Sequence, residues 1–279
     1  MLYQWIRLFN SDNGVITDES LANQDESSTV TWNLTTAEDY KYIAKYAPFN
    51  NFYLKVNTAN DVASVMKIEY WDGQYWREAV DILDGTSSGG VSIAKSGIVQ
   101  FSPDIDFGWN RISDTTDSNS PTDLQTLHIY NNYWLRISFN DTLKATTKTD
   151  RFGYAFTTSQ QLKNIDVQIN SYLEAFATGK TNWENEILTS SLHVAKDLEI
   201  KGFITEEGQV LRLSDVSLAT DYKTLSLIYA ALGPNQDKKR DYWHSQYEKY
   251  LSGRKTLDNN SSGFVDRQEI SSTMGNLVR

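Results

Sequence analysis

Cysteine is absent from the chain of 279 residues. The sequence therefore excludes disulfide bonds, catalysis by a thiolate and zinc sites built on cysteine. No apolar run in the sequence approaches the ~20 residues that a membrane-spanning helix needs. The opening stretch MLYQWIRLFNSD lacks the basic and apolar regions of a signal peptide, so we expect a protein that is made without export and has no membrane partner.

Positive charge is in the minority. Lysine and arginine number 26 against 36 aspartates and glutamates, which gives a formal net charge of −10. Proteins that grip the phosphates of DNA usually present a basic face, so the composition does not predict sequence-specific binding of nucleic acid. Aromatic residues, in contrast, make up 13% of the chain, and such a richness suits sheet faces and contact surfaces.

Signatures of catalysis are also few. Each of the three histidines, His128, His193 and His244, lacks a neighbouring partner in the sequence that would orient a general base. No nucleophile elbow, phosphate-binding loop or dinucleotide fingerprint is present. The stretch GTSSGG at 85–90 is followed by neither a lysine nor a helix start, so we interpret it as a hairpin tip. We therefore expect no catalytic residues and no enzyme activity.

Residues 1–155 have the alternating hydrophobic pattern of β-strands. The stretch NFYLKVNT alternates apolar and polar residues, and so does NNYWLRISFND later in the chain. Asp72-Gly73 separates two runs rich in aromatic and β-branched residues, which is a strong signal for a hairpin. Repeated short strands at this spacing predict an antiparallel β-sandwich of jelly-roll or immunoglobulin-like type.

After about residue 156 the spacing of apolar residues becomes that of helices. The stretch NWENEILTSSLHVAKDLEIKG predicts a helix that is capped by Asn182 and ended by Gly202. Two further helices, in SLATDYKTLSLIYAALGPN and QDKKRDYWHSQYEKYLSGR, are expected to form a tight hairpin through Gly233-Pro234. The segment 156–181 is ambiguous, and its stretch NIDVQINSYLEAFATG could be a strand that leads into a helical turn. The fold class is therefore α+β with several domains.

The polar segment 256–279 has little apolar content for a core and contains the pattern DNNSSGFVDRQE. Calcium takes oxygen ligands from alternating side chains, with a glycine at a sharp turn and a bidentate acid at the end. The candidate ligands are Asp258, Asn260, Ser262, the carbonyl of Phe264, Asp266 and Glu269. The alternative is a polar loop of turn-forming residues, which the short segment after the pattern and the lack of a second loop favour. Calcium is the one cofactor that the sequence suggests.

Three aromatic residues on the predicted hairpin, Trp71, Tyr75 and Trp76, are candidates for an exposed binding surface. Exposed aromatic rings on a β-sandwich can stack against sugars, because these rings combine an apolar face with a polar tip. The alternative is that the three rings fill the core or cover contacts between subunits, and aromatic residues are common in both places.

The second half of the chain carries a further pattern, LHVAKDLEIKGF followed by LIYAALGP and DKKRDYWHSQYEKYL. This pattern resembles the helical core of the head–tail connector proteins of tailed bacteriophages, also called adaptor or neck proteins. The resemblance covers about residues 180–270. The first half, with IEYWDGQYW and a late YWLRI strand, is similar to the β-sandwich modules of phage structural proteins. The matching residues of the helical part are Ala195, Gly202, Leu225, Ile228, Tyr229, Leu232, Gly233, Tyr242, Trp243 and Tyr250.

The resemblance implies a structural protein of the virion neck that is synthesised in the cytoplasm of the host. Connectors of this family form homo-oligomeric rings, commonly of twelve copies, that bind beneath the portal protein and join it to the tail or to a stopper or terminator protein. DNA would pass through the channel without sequence-specific binding. Residues 1–155 would then be an added β-sandwich, 156–255 the helical connector domain and 256–279 an extended docking arm. The alternative is a baseplate or tail-associated carbohydrate-binding protein that acts in host attachment.

Overall fold

A computed structural model describes residues 6–25, 27–35, 39–104, 106–204, 210 and 213–251. Within these residues the fold is α+β, with antiparallel sheets and six α-helices. The chain divides into two compact units, and the boundary lies between Gly153 and Tyr154. All strands belong to the first unit, and the described residues of the second unit form helices and loops.

The first sheet of the first unit has seven strands. They follow the order β2-β1-β4-β11-β6-β7, with β10 beside β11, and each pair is antiparallel. A short helix, α1 (Ser20–Gln24), follows β2. The strands of this sheet are β1 (Arg7–Asp12), β2 (Val15–Asp18), β4 (Tyr40–Lys45), β6 (Met66–Trp71), β7 (Trp76–Glu78), β10 (Arg111–Asp114) and β11 (Tyr130–Phe139).

The second sheet has five strands in the order β3-β12-β5-β9-β8, again antiparallel. Aromatic side chains connect it with the first sheet. Trp32, which follows β3, meets Phe139 of β11 edge to face at 6.4 Å between ring centroids. Trp109 contacts both Phe101 of β9, at 6.2 Å, and Tyr70 of β6, at 5.8 Å. The strands are β3 (Val30–Thr31), β5 (Asn51–Thr58), β8 (Val80–Asp84), β9 (Gly97–Ser102) and β12 (Lys148–Gly153).

Two tight turns shape the rim of the first sheet. The predicted hairpin at Asp72-Gly73 is present between β6 and β7, where Trp71 pairs with Trp76. A second hairpin joins β1 to β2 through Asn13 and Gly14, whose φ angles of 48° and 78° lie in the left-handed region. Asn-Gly is the preferred pair for such a two-residue turn because both positions require a positive φ.

The second unit contains the other five helices. These are α2 (Ser159–Ile165), α3 (Leu173–Phe176), α4 (Glu184–Ile200), α5 (Ser217–Ala231) and α6 (Asp237–Leu251). The strand suggested within 156–181 is wrong: this segment forms α2, a short 3₁₀ turn at Ile169–Tyr172 and α3. No helix in the described parts of the chain is both long enough and apolar enough to cross a membrane.

The helix ends follow the sequence signals with one exception. Gly202, with φ at 73°, follows α4, and its amide and that of Phe203 donate to the carbonyls of Glu199 and Leu198, which are carbonyls that the helix itself leaves unbonded. The predicted cap Asn182 is displaced by one position. Trp183 is the N-cap residue of α4 and makes no capping bond with its side chain, whereas Asn182 Oδ1 accepts from the amide of Glu184 at 3.2 Å.

Helix α5 is the centre of the second unit. It packs against both α4 and α6, and the side chains of Leu225, Ile228 and Tyr229 are fully buried. The Tyr229 hydroxyl donates to Asp166. Gly233, with φ at 94°, ends the helix and Pro234 opens the connection to α6, so the predicted helical hairpin is present.

Candidate binding cleft

An open cleft of about 510 Å³ lies on one face of the first sheet. Its volume falls within the ~300–1,000 Å³ of typical small-molecule sites. Five stretches of chain contribute to it: the β1–β2 turn, the start of β4, the β6–β7 hairpin, the loop 121–123 and the middle of β11. Strand pairing brings these stretches together, although they are far apart in sequence.

Arg136 of β11 is one of the residues that line the cleft. In the sheet it stands opposite Glu69 of β6 on one side and Tyr42 of β4 on the other. Its Nε and Nη2 donate to the two carboxylate oxygens of Glu69 at 2.8 and 3.1 Å. Burial works against its charge, but these hydrogen bonds and the charge of Glu69 raise the pKa of Arg136. The guanidinium is therefore a fixed, paired cation.

Aromatic rings enclose this cation. Its carbon lies 4.4 Å from the ring centroid of Tyr40 and 4.7 Å from that of Trp76, which are distances at which a cation is attracted to the ring face. Trp76 is held in turn by Trp71, with centroids 5.5 Å apart in an edge contact, and by Tyr42 at 5.7 Å. The rings therefore have a fixed arrangement before any ligand arrives.

The three aromatic residues singled out in the sequence all lie at this cleft. They differ in exposure: Trp71 is 6% exposed and belongs to the hydrophobic core, Trp76 is partly buried, and Tyr75 is 54% exposed. Trp71 therefore fits the interpretation as a core residue. Tyr75 fits the interpretation as an exposed aromatic residue, since it faces solvent at the edge of the cleft.

The lining of the cleft also includes a carboxylate. Asp123, in the loop before β11, accepts a hydrogen bond through Oδ2 from the hydroxyl of the fully buried Tyr42. Burial, followed by the charge of Asp123 and this bond, raises the pKa of Tyr42, so its hydroxyl remains a proton donor. Oδ1 of Asp123 makes no hydrogen bond with the described residues, and it is available as an acceptor.

Two aspartates, the buried Asp39 and the partly buried Asp72, position the two rims. On one side, Asp39 Oδ1 accepts from the amide of Asn13 at 2.9 Å and so fixes the β1–β2 turn. On the other side, Asp72 Oδ1 accepts from the amides of Gln74 and Tyr75 at 2.7 and 2.6 Å. Burial alone would raise the pKa of Asp72, but these bonds and Arg77 lower it. The side-chain amide of Gln74 is exposed at the rim.

Sequence reasoning missed most of this cleft. Tyr40, Asp123 and Arg136 carry no local signal of a site, because their proximity depends on the pairing of β4, β11 and β6. One signal was available: Asn13-Gly14, between two short apolar runs, is a strong indication of a hairpin and would have located one rim.

The predicted calcium loop lies outside the described residues, and so do all six of its candidate ligands, Asp258, Asn260, Ser262, Phe264, Asp266 and Glu269. Within the described part of the chain, no group of three or more histidines, aspartates or glutamates could hold a metal ion. The calcium site stays a prediction from the sequence.

No family model matches the chain, and no curated protein matches it either. Functional inference therefore rests on the residues themselves.

Proposed function

We propose that the protein is a structural protein of the phage virion, a head–tail connector that forms a ring under the portal and joins it to the tail. The resemblance over about residues 180–270 motivates the proposal. Three of the matching residues, Leu225, Ile228 and Tyr229, fill the core between α4, α5 and α6, which supports a helical connector domain at 156–255. The segment 256–279 would be the docking arm that reaches an adjoining ring.

The first unit would be the added β-sandwich. Its two antiparallel sheets and the aromatic contacts between them, such as Trp32 with Phe139, support this arrangement, because sandwiches pack side chains from two inner faces into one core. The proposed role is assembly without catalysis. The net charge of −10 suits the channel, since a wall without excess cations attracts DNA phosphates weakly and lets the duplex pass.

An aromatic surface on the second unit is the observation that carries the proposal. Tyr222 of α5 stacks on Trp243 of α6 at 5.6 Å, and Tyr242 and Tyr250 extend this surface. Tyr242 is 55% exposed and Trp243 is partly exposed. Clusters of exposed aromatic residues mark protein contacts, and neighbouring copies in a ring would cover this surface, which we call the α5–α6 aromatic surface.

The test is electron microscopy and native mass spectrometry of the full-length protein, alone and mixed with portal rings. We expect the protein to assemble into rings, and the resemblance to phage connectors predicts twelve copies in each ring. Tyr242→Glu should reduce ring formation because it places a charge on the α5–α6 aromatic surface. The matched control is Tyr130→Glu, since Tyr130 is 56% exposed but lies on β11 in the first unit. A protein that stays monomeric with and without portal rings would contradict the proposal.

A second candidate function is carbohydrate binding at the baseplate or tail during host attachment. The open cleft with Tyr40, Tyr75 and Trp76 favours it, because concave sites with aromatic walls and a few fixed polar groups bind small molecules. Binding of the full-length protein to an array of bacterial surface glycans would support this function, and a blank array would contradict it.

A further inference from the structure

We propose that the cleft is a saccharide-binding site whose ligand is a neutral pyranose. The inference deepens the carbohydrate-binding alternative and rests on it, whereas it is independent of the connector role of the helical unit. It follows from three properties of the cleft: its combination of aromatic rings and polar groups, the fixed positions of two of these groups, and their balance of charge.

Aromatic rings and planar polar groups both line the cleft. Tyr40, Tyr75 and Trp76 supply aromatic surface, while Asp123 supplies an acceptor and Gln74 an amide that both donates and accepts. A pyranose combines the complementary surfaces, since its ring has faces of C–H groups and a rim of hydroxyls. A purely apolar ligand would cover Oδ1 of Asp123 and leave that oxygen without a hydrogen bond, because only Oδ2 is bonded to Tyr42, and such burial is costly.

Two of the groups that would contact the sugar, Trp76 and Asp123, are positioned in advance. Trp76 is fixed between Trp71 and Tyr42, and Asp123 is fixed by the Tyr42 hydroxyl. Tyr42 therefore connects the aromatic wall with the carboxylate wall through a single buried side chain. Preorganised groups lose little conformational entropy on binding, which matters for sugars because their hydroxyls exchange bonds with water for bonds of similar strength.

The charges favour a neutral ligand. The guanidinium of Arg136 is already paired with both oxygens of Glu69, while Asp123 is bonded to a neutral hydroxyl. An acidic sugar or a phosphate would meet the charge of Asp123 without an unpaired cation to compensate. A ligand cation would be repelled by the guanidinium of Arg136, whose carbon lies 4.4 and 4.7 Å from the ring centroids of Tyr40 and Trp76.

The experiment measures binding to the full-length protein by calorimetry and by tryptophan fluorescence. The neutral probes are the methyl glycosides of glucose, galactose, mannose and N-acetylglucosamine, and the charged probes are glucuronate and choline. We expect saturable binding of at least one neutral glycoside and none of either charged probe. Asp123→Asn and Tyr75→Ala should each weaken that binding by about tenfold or more, because a hydrogen bond to a carboxylate or a contact with an aromatic ring is lost.

Two matched controls keep the result specific. Asp117→Asn changes an exposed carboxylate of the same β10–β11 connection outside the cleft, and Tyr130→Ala removes an equally exposed ring on β11. Both should leave binding unchanged. Stronger binding of glucuronate or choline overturns the neutral class, and equal binding by wild type, Asp123→Asn and Tyr75→Ala overturns the site.

The outcome separates this site from the function on which it rests. If the protein binds an array of glycans while the cleft variants bind equally well, carbohydrate binding stands and the assignment to this cleft fails. If neither the array nor any glycoside is bound, both fail. Ring formation with the portal is measured independently and is expected to be the same for all cleft variants.

Discussion

Asp221 of α5 and Thr157 form a buried pair in the helical unit, in which the Thr157 hydroxyl donates to the carboxylate at 2.6 Å. Asp221 is only 2% exposed, and Thr157 is fully buried. Burial raises the pKa of Asp221 to about 6, although the bond from Thr157 acts in the opposite direction. A carboxylate in such a place makes the stability of the helical unit depend on pH.

The direction of this pH dependence follows from the number of protons that the folded and the unfolded protein bind. In the unfolded chain the pKa of Asp221 is about 3.9. The folded state therefore binds more protons than the unfolded state between that pH and about 6. The free energy of unfolding therefore falls as the pH rises through this range. We expect Asp221→Asn to remove this dependence and to stabilise the protein at pH 7 by up to about 3 kcal/mol.

Urea unfolding of wild type and Asp221→Asn at pH 4, 5, 6 and 7 checks this prediction. The control is Asp241→Asn on α6, where the side chain is 68% exposed, and the expected change in stability is small. An Asp221→Asn protein that loses as much stability as wild type between pH 4 and 7 would show that another group is responsible.

Gly97 and Gly85 approach each other closely where β8 and β9 meet. A Cβ on Gly97 would lie 2.2 Å from the carbonyl oxygen of Gly85 and 2.8 Å from the amide of Thr86. Backbone atoms cannot move aside without breaking the bond from the Gly85 amide to the Ile98 carbonyl. We expect Gly97→Ala to lower the free energy of unfolding by about 2–4 kcal/mol, as overpacking does.

Gly108→Ala is the matched control for Gly97→Ala. Neither glycine has a positive φ, and the nearest atom to a Cβ on Gly108 is 4.0 Å away, so the comparison isolates steric overlap from backbone strain. Thermal unfolding followed by circular dichroism measures both variants. Equal melting temperatures for the two proteins would contradict the close approach of the backbones.

The parts of this fold that the sequence predicts are the local ones. Asp72-Gly73 marks a hairpin, and Gly202 and Gly233 mark helix ends, because each signal depends on the backbone of a few consecutive residues. The cleft is not local. Arg136 and Glu69 are 67 positions apart, and only the order of the strands brings them together. Trp71, Tyr75 and Trp76 could be recognised as one cluster because a single hairpin contains them.

Breaking the pair of Glu69 and Arg136 should destabilise the first unit. The two side chains are 11% and 17% exposed, so removal of the negative partner leaves a cation that is largely buried. We expect Glu69→Gln to lower the free energy of unfolding by about 1–3 kcal/mol, less than for a fully buried pair because some solvent reaches both groups. Urea unfolding at neutral pH gives the measurement.

The neighbouring pair of Glu78 and Lys67 supplies the control. It lies on the same sheet, but the side chain of Glu78 is 63% exposed and the closest atoms are 3.6 Å apart. Exposed ion pairs contribute about 0–1 kcal/mol, so Glu78→Gln should have a small effect. If both glutamine variants lose the same stability, the Arg136 pair has no special role in the sheet.

The calcium loop can be tested although its residues lie outside the described structure. The pattern from Asp258 to Glu269 ends with the acid that binds calcium through both oxygens in loops of this type. We expect millimolar calcium to slow tryptic cleavage after Arg267, and a chelator to restore cleavage. Glu269→Gln should abolish the protection, because an amide supplies one weak ligand in place of two charged oxygens.

Glu248→Gln on α6 is the control for Glu269→Gln, since Glu248 is an exposed glutamate that precedes the loop and is not among its ligands. Its calcium-dependent protection should equal that of wild type. Protection that survives in Glu269→Gln would mean that calcium acts elsewhere in the chain. Identical cleavage with calcium and with chelator would mean that Asp258, Asn260 and Ser262 alternate because such residues favour turns.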